Sequence, residues 1–395
     1  ISNKERVNSA RVRPLSYKIT PDCVGDTVTF SLSRPRNLSV EVNGDIFHNL
    51  HLFANPIDKF RPSDKEIQRA LKKKKGSNLI YFGPGVHNLP NDTLFVPSGT
   101  TVYIDGGARV YGNIFTEGAH DVNIFGRGEV HPDGRGAGVW VRRSKNVRID
   151  GIVVSQLPIG QCDSVELTNV KSISYYGWGD GMDVFSSSNV ILDGVFCRNS
   201  DDCAAVYAST QGFKGGSNNV LVKNATLWAD VAHPINIGGH GDPNGMDTVQ
   251  NVTFRNIDIL DQAEKQIDYQ GCLAINPGDN TLVRNITFEN IRIEDFRNGQ
   301  LVNFRISFNP KYCVSTGRGI QNVLVKDVTY NGSGENLSII AGYDENHKIS
   351  GIRFVNLVVN GRKITDDMPG KPKWYKTGDM AGIFVGEHVE NLSFE

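Results

Sequence analysis

One heptad-like segment, Asn-Val-x-apolar-x-Gly/Asn-apolar, recurs along most of the chain at irregular intervals. Its copies begin at Asp121, Asn146, Ser164, Asn189, Asn219, Asn251, Asn285, Asn322 and Gly351, with a partial copy at Asn391. The intervals run from 18 to 40 residues and mostly lengthen toward the C-terminus. Leucine-rich, ankyrin and tetratricopeptide arrays hold a fixed period, so this variation excludes them. A parallel β-helix permits it, because each coil keeps its stacked strands while loops of any length leave from one side. Inside each copy the apolar residues alternate, which turns one face of a strand inward. Gly or Asn at the sixth position tolerates the left-handed backbone of a sharp bend. The chain therefore reads as all-β, a parallel β-helix.

A solenoid grows by adding coils, so 395 residues need not divide into several globular cores. Two units are expected: residues 1–60 as a small N-terminal β unit and 61–395 as the β-helix. The first contains short alternating runs (Asp26-Thr-Val-Thr-Phe, Asn37-Leu-Ser-Val-Glu-Val, Leu50-His-Leu-Phe) separated by turns such as Asn43-Gly44-Asp45, a sandwich-like antiparallel pattern. Ser63 followed by Glu66 opens a short helix with a capping box, suited to covering the open end of the first coil. Helical periodicity is nearly absent after residue 75.

A net charge of −1 argues against nucleic acid, whose phosphates demand a basic face. The single basic run, Lys72 to Lys75, reads as a solvated helix end. No apolar run is long enough to span a membrane, and Ile1-Ser-Asn-Lys-Glu-Arg6 is no signal peptide. The six cysteines, 23, 162, 197, 203, 272 and 313, lack metal spacing and read as free thiols, mostly buried; a Cys197–Cys203 bridge is the one pairing their positions suggest. Eight Asn-x-Ser/Thr sequons occur, but the repeat itself generates about half of them, so they carry little weight. The histidines show no metal spacing, His240 near Asp242 and Asp247 included. No metal and no cofactor is expected.

Chemistry concentrates between Trp178 and Cys203, in Trp178-Gly-Asp-Gly-Met-Asp-Val and Asn199-Ser-Asp-Asp-Cys203. Asp180 precedes the Asp201–Asp202 pair by 21 residues, close to one turn of the solenoid. Neighbouring strands lie ~4.8 Å apart, so the three carboxylates are expected to crowd one outer patch. Like charges held together raise at least one pKa and keep an acid near neutrality. A proton donor beside ionised carboxylates is what glycosidic cleavage requires. Aspartates also gather at turns for local reasons; an Asp pair in register with a third favours function.

These residues resemble a family. Gly179-Asp180-Gly181-Met-Asp183 and Asn199-Ser-Asp201-Asp202-Cys203 are similar to the Asn-Thr-Asp-Gly and Asp-Asp-Cys motifs of the polygalacturonase-like glycoside hydrolases, family 28. Ala232-His233-Pro234-Ile-Asn-Ile-Gly238 is similar to the family's Gly-His-Gly motif. His233 precedes its strand, as the family's histidine does, whereas His240 follows it. The resemblance implies a right-handed parallel β-helix of the pectin-lyase-like kind. It also implies inverting hydrolysis, with Asp201 as general acid and Asp180 and Asp202 activating a water. The N-terminal β unit resembles that of the related dextranases, family 49. An extracellular or periplasmic monomer acting on a polysaccharide or oligosaccharide follows from the same resemblance.

Two departures stand out. Trp178 and Gly179 replace the family's Asn and Thr. The Arg-Ile-Lys motif that grips a uronate carboxylate is missing from Cys272-Leu-Ala-Ile-Asn276, and Arg305, the nearest basic residue, lies one coil later without the lysine. A site without that clamp suits a neutral or mildly substituted glycan better than galacturonate. Substrate contacts are expected from His233, Asp183, Trp178 (an aromatic face for a sugar ring) and Arg305; Tyr269 is a weaker candidate. The alternatives are a polygalacturonase proper, a polysaccharide lyase, and a non-catalytic glycan-binding solenoid.

Overall fold

The computed structural model describes residues 6–72, 76–333 and 335–395. The chain forms two compact units, Ile1–Lys59 and Phe60–Glu395. In the first, strands Ala10–Arg13, Arg36–Val42 and Asp45–Ala54 form an antiparallel sheet, beside a separate hairpin of Asp22–Val24 and Thr27–Thr29. Val12, Leu38 and Val40 are its buried centre. Asn43 and Gly44 both adopt positive φ at the predicted turn, as a tight hairpin demands. Buried Glu41 is neutralised by Arg11 and Arg13 at 2.6 and 2.9 Å.

The expected helix spans Asp64–Leu71. Ser63 accepts from the Glu66 N–H while Glu66 accepts from the Ser63 N–H, the full capping box. Of the basic run, Lys72 is the helix C-cap; Lys73 to Lys75 lie outside the described residues, as does most of the N-terminal segment Ile1–Arg6.

From Leu79 onward the chain is a right-handed parallel β-helix, with 29 strands joined in one continuous sheet among the described residues. Three strands per coil stack into three ladders. In the repeat ladder, Ile149, Leu167, Leu192, Val222, Phe254, Phe288 and Val325 occupy one register position on successive coils. All point inward and are essentially fully buried. Toward the C-terminus the interior becomes aromatic, with Phe254–Phe288 and Phe288–Phe304 each stacked at 5.9 Å. All six cysteines are free, four of them buried, so Cys197 and Cys203 are not bridged.

The sixth repeat position behaves as expected: Gly151, Asn169, Gly194, Asn224, Asn256, Asn290, Asp327 and Asn356 all have positive φ. The first position does so too, at Asp121, Asn146, Ser164, Asn189, Asn219, Asn251, Asn285 and Asn322. Each repeat strand is thus bent at both ends. Side-chain ladders hold the bends: Asn219 donates to Asn189 (2.7 Å) and Asn285 to Asn251 (3.1 Å) on one edge. Asn224 donates to Asp193 and Asn256 to Asn224, both at 2.7 Å, on the other.

Left-handed backbone costs a β-carbon-bearing residue roughly 1–2 kcal/mol, and the ladder bond offsets part of that. Asn256→Ala, losing both the tolerance and the bond, is expected to destabilise by about 1–2 kcal/mol. Asn256→Gly, losing only the side-chain bonds to Asn224 and from Asn290, is expected to cost measurably less, a difference that urea denaturation reads.

Candidate active site

The acidic residues sit where the second ladder turns into the third. Strands Met182–Phe185, Ala204–Tyr207 and Ile235–Ile237 stack in parallel with Met182, Ala204 and Ile235 in register. Counting back two residues from each aligns Asp180, Asp202 and His233 on successive coils. Asp180, Asp201 and Asp202 each bring a carboxylate oxygen within 4.8 Å of the others.

Glycine makes this approach geometrically feasible. A β-carbon on Gly181 would lie 2.2 Å from the Cys203 carbonyl oxygen, and one on Gly179 would lie 2.3 Å from Ser200 Oγ. The departure from threonine at position 179 therefore has a steric cause here. Gly181 N–H donates to the Asp202 carbonyl at 2.7 Å, and Asn199 Nδ2 donates to the Asp180 carbonyl (3.1 Å) and to Ser172 and Ser174 Oγ (both 3.0 Å). Ser174 Oγ donates in turn to the Gly179 carbonyl. The Asp180 loop is thereby fastened to the coil that carries the pair.

Asp202 is 1% exposed and accepts on both oxygens. His233 Nδ1 (2.7 Å) and the His233 N–H (3.0 Å) meet Oδ1; Tyr207 Oη (2.5 Å) and Asn236 Nδ2 (2.8 Å) donate to Oδ2. Burial opposes its ionisation, but the attraction of His233 and these hydrogen bonds outweigh it and hold the carboxyl below its ordinary range. Among the described residues Asp201 receives only the Asp202 N–H, at 3.0 Å. Its burial, then the charges of Asp202 and Asp180, push it up to about 8. Burial and Asp202 push Asp180 up to about 7. Asp183, buried on the strand behind them with Oδ1 unpartnered, is driven far above the carboxylate range by burial and then by Asp180.

These residues open on a cavity of about 280 Å³. Asp183, Phe185, Tyr207 and Asn236 lie along its floor, and later loops add Asp268, Tyr269 and Tyr312; the last two rings stack at 5.2 Å. Trp178, 68% exposed and at φ +61°, stands at its edge. The two remaining residues expected at substrate are placed otherwise. His233 is 0% exposed and lies beneath Asp202, its ring edge-on to Tyr269 at 4.3 Å. Arg305 stands outside the lining and donates through Nη2 to the Asp268 carbonyl at 2.7 Å. His240, lining the cavity, packs edge-on to Tyr207 at 5.0 Å.

Tyr207, Asn236, Tyr312 and Asn276 were not singled out by their sequence pattern. For Tyr207 and Asn236 a signal existed: they alternate with the apolar Val206 and with Ile235 and Ile237, which face the core, and so share the opposite, outer face of their strands. The three-carboxylate cluster is also the grouping among the described residues whose geometry could hold a metal ion. Near neutrality Asp201, pushed up to about 8, keeps its proton, while Asp180, pushed up to about 7, divides between acid and anion.

Comparison with known proteins places this geometry in context. The sequence profile of glycosyl hydrolases family 28 matches residues 139–368. A polygalacturonase of Juniperus ashei is 26% identical over 295 residues, 66% of this chain and 54% of that protein. The chain spans about half the length of the first curated relatives it matches. Among solved structures, the family 28 exopolygalacturonase of Yersinia enterocolitica superposes with a TM-score of 0.58 at 13% identity, covering 93% of this chain and 85% of its own. Dex49A from Penicillium minioluteum, a family 49 dextranase, gives 0.63 at 14%, covering 98% and 79%.

The raised Asp201 pKa has a consequence for stability. An unfolded Asp ionises near pH 4, whereas folded Asp201 keeps its proton to about pH 8. Between those values the folded state binds the extra proton, so stability falls as pH rises. Asp201→Asn removes this penalty. Its melting temperature is expected to match that of the unmodified protein near pH 4 and to exceed it increasingly up to pH 8, as measured by a thermal scan series.

Proposed function

Because the chain belongs to glycosyl hydrolases family 28, we propose that it is an inverting glycoside hydrolase cleaving a neutral or mildly substituted polysaccharide or oligosaccharide. The observation that carries this reading is the gathering of Asp180, Asp201 and Asp202 within 4.8 Å, where Tyr207, Asn236 and His233 bond to Asp202 and burial raises Asp201 beside it. Asp201 donates its proton to the departing glycosidic oxygen. Asp180 and Asp202 form the anionic side of the site, against which a water is activated to attack the anomeric carbon.

The charge of the cavity supports the choice of substrate. Its described lining includes Asp180, Asp183, Asp201, Asp202 and Asp268 but neither arginine nor lysine. A uronate carboxylate brought there would meet like charge, with no bidentate partner. The buried unpartnered atoms among the described lining residues are oxygens: the amide acceptors Asn236 Oδ1 and Asn276 Oδ1, and Asp183 Oδ1. Both amide orientations follow from what the Nδ2 groups donate to. Acceptors are what sugar hydroxyls, as donors, complete. Trp178 offers its exposed face to a ring and Asp183 a hydrogen-bond partner to hydroxyls. His233 and Arg305 support the site from behind, through Asp202 and Asp268. A polysaccharide lyase would need a basic residue at the substrate, which the same lining lacks. We further propose that the protein acts as a monomer outside the cytoplasm, where polymeric glycans occur. No helix among the described residues is long and apolar enough to cross a membrane.

The nearest carboxylate oxygens are closer than the ~6.5–9.5 Å usual between acid and base in inverting enzymes, so inversion here rests on family membership. Reducing-sugar release across a panel of neutral glycans and polygalacturonate tests the substrate class, with a neutral glycan expected to be the better substrate. Proton NMR of the first-formed product is expected to show the anomer opposite to the substrate linkage; retention would overturn the water-activating role of the anionic side. Asp201→Asn and Asp202→Asn are each expected to lower kcat by at least ~10³-fold with circular dichroism unchanged. Full activity in either removes the mechanism.

A further inference from the structure

Resting on the hydrolase reading, we propose that Asp202 does not take the proton of the attacking water: Tyr207, Asn236 and His233 saturate it as a fixed anion, and Asp180 alone is the base. The contrast in hydrogen bonding carries this division of labour. Four donors occupy Asp202, two on each oxygen, and its side chain is 1% exposed. A carboxylate so placed borders the cavity but has little lone-pair capacity left to take a proton from a water. No described side chain donates to Asp180, which lines the cavity one coil away.

Tyr207 and Asn236 are positioning residues in this scheme, and they brace one another as well, Asn236 Nδ2 lying 3.1 Å from Tyr207 Oη. The phenol ring is fixed from the side by stacking on Phe185 at 5.9 Å, so its hydroxyl is aimed before substrate arrives. A charge-assisted bond of this kind stabilises the ionised form of its acceptor. The locked negative charge then favours the proton on Asp201, the neighbour that must deliver it. In the reaction, water oxygen bonds to the anomeric carbon and its proton passes to Asp180. The glycosidic carbon–oxygen bond breaks and the Asp201 proton goes to the leaving oxygen. Exchange with solvent returns Asp180 to its anion and Asp201 to its acid.

Two measurements test the assignment. Carboxyl ¹³C NMR of Asp-labelled protein, with the Asp202 signal identified by its loss in Asp202→Asn, is expected to show Asp202 ionised from about pH 4 to pH 9. In Tyr207→Phe, which keeps the stacked ring, and independently in Asn236→Ala, the Asp202 midpoint is expected to rise by about one unit or more. A merely structural role for Tyr207 would leave that titration in place. The second measurement compares Asp180→Ala with Asp202→Ala in added azide, a nucleophile that needs no base. Azide is expected to restore glycosyl transfer to Asp180→Ala by at least tenfold and not to Asp202→Ala. Titration of Asp202 within the window in the unmodified protein, an unmoved midpoint in both donor variants, or azide rescue of Asp202→Ala alone would each overturn the proposal. The NMR arm uses no substrate, so it is decided even where the hydrolase reading fails for want of released sugar.

Discussion

Parallel hydrogen bonding between successive coils is the constraint from which the rest follows. It fixes register, and register here determines chemistry, because Asp180 and Asp202 meet only when Met182 pairs with Ala204. A slip of one residue would turn Asp183 inward and Met182 outward. The repeat prevents this with a buried apolar row and with positive-φ residues at both ends of each repeat strand. The ladders of asparagines along those bends therefore contribute to the active site without approaching it.

Gathering three carboxyls under one patch is electrostatically unfavourable, and the fold resolves the conflict unequally. One carboxyl, Asp202, receives every strong donor available and stays ionised. Asp201 and Asp180 receive almost none and are pushed up by burial and by Asp202's charge. Separating the protonation states of neighbouring acids in this way is how carboxyl pairs acquire distinct acid and base roles. The stability lost by keeping buried acids is the familiar conflict between a well-poised site and a maximally stable one.

Much of this was legible in the residues. The repeat, with its uneven intervals, implied the parallel β-helix, and its sixth position announced the bends. Asp180, Asp201 and Asp202 were legible because spacing and stacking together bring them into one place. The bends at the first position were less so, since Asn and Ser there read equally well as ordinary strand starts. Tyr207 and Asn236 were legible as outward positions of their strands from the alternation, but only the register brings both onto the Asp202 carboxylate. The motif aligns His233 with the site, but only the register reveals that it lies buried beneath Asp202. Arg305 reads in sequence as an available cation on a nearby coil, whereas in the fold its guanidinium donates to the Asp268 carbonyl.

The coil after the acids completes the site by holding His233. The backbone at Ala232 is left-handed, φ +61°, an unfavourable conformation for alanine that persists because buried polar groups surround it. Glu264 accepts from the Ala232 N–H at 3.2 Å, and Gln262 donates to the Ala232 carbonyl at 3.1 Å. Gln270 donates to the Glu264 carbonyl (2.5 Å), and Asn303 Nδ2 donates to the Gln270 carbonyl (2.6 Å). The polar spine thus runs upward through two further coils, each member satisfied by the next, and it sets the position of the His233 turn against Asp202. Tyr269, on the loop between Glu264 and Gln270, closes on the His233 ring from the cavity side. The loop that walls the cavity is therefore the same one that holds the His233 ring against Asp202, so a change in that loop alters the shape of the cavity and the setting of the Asp202 carboxylate together.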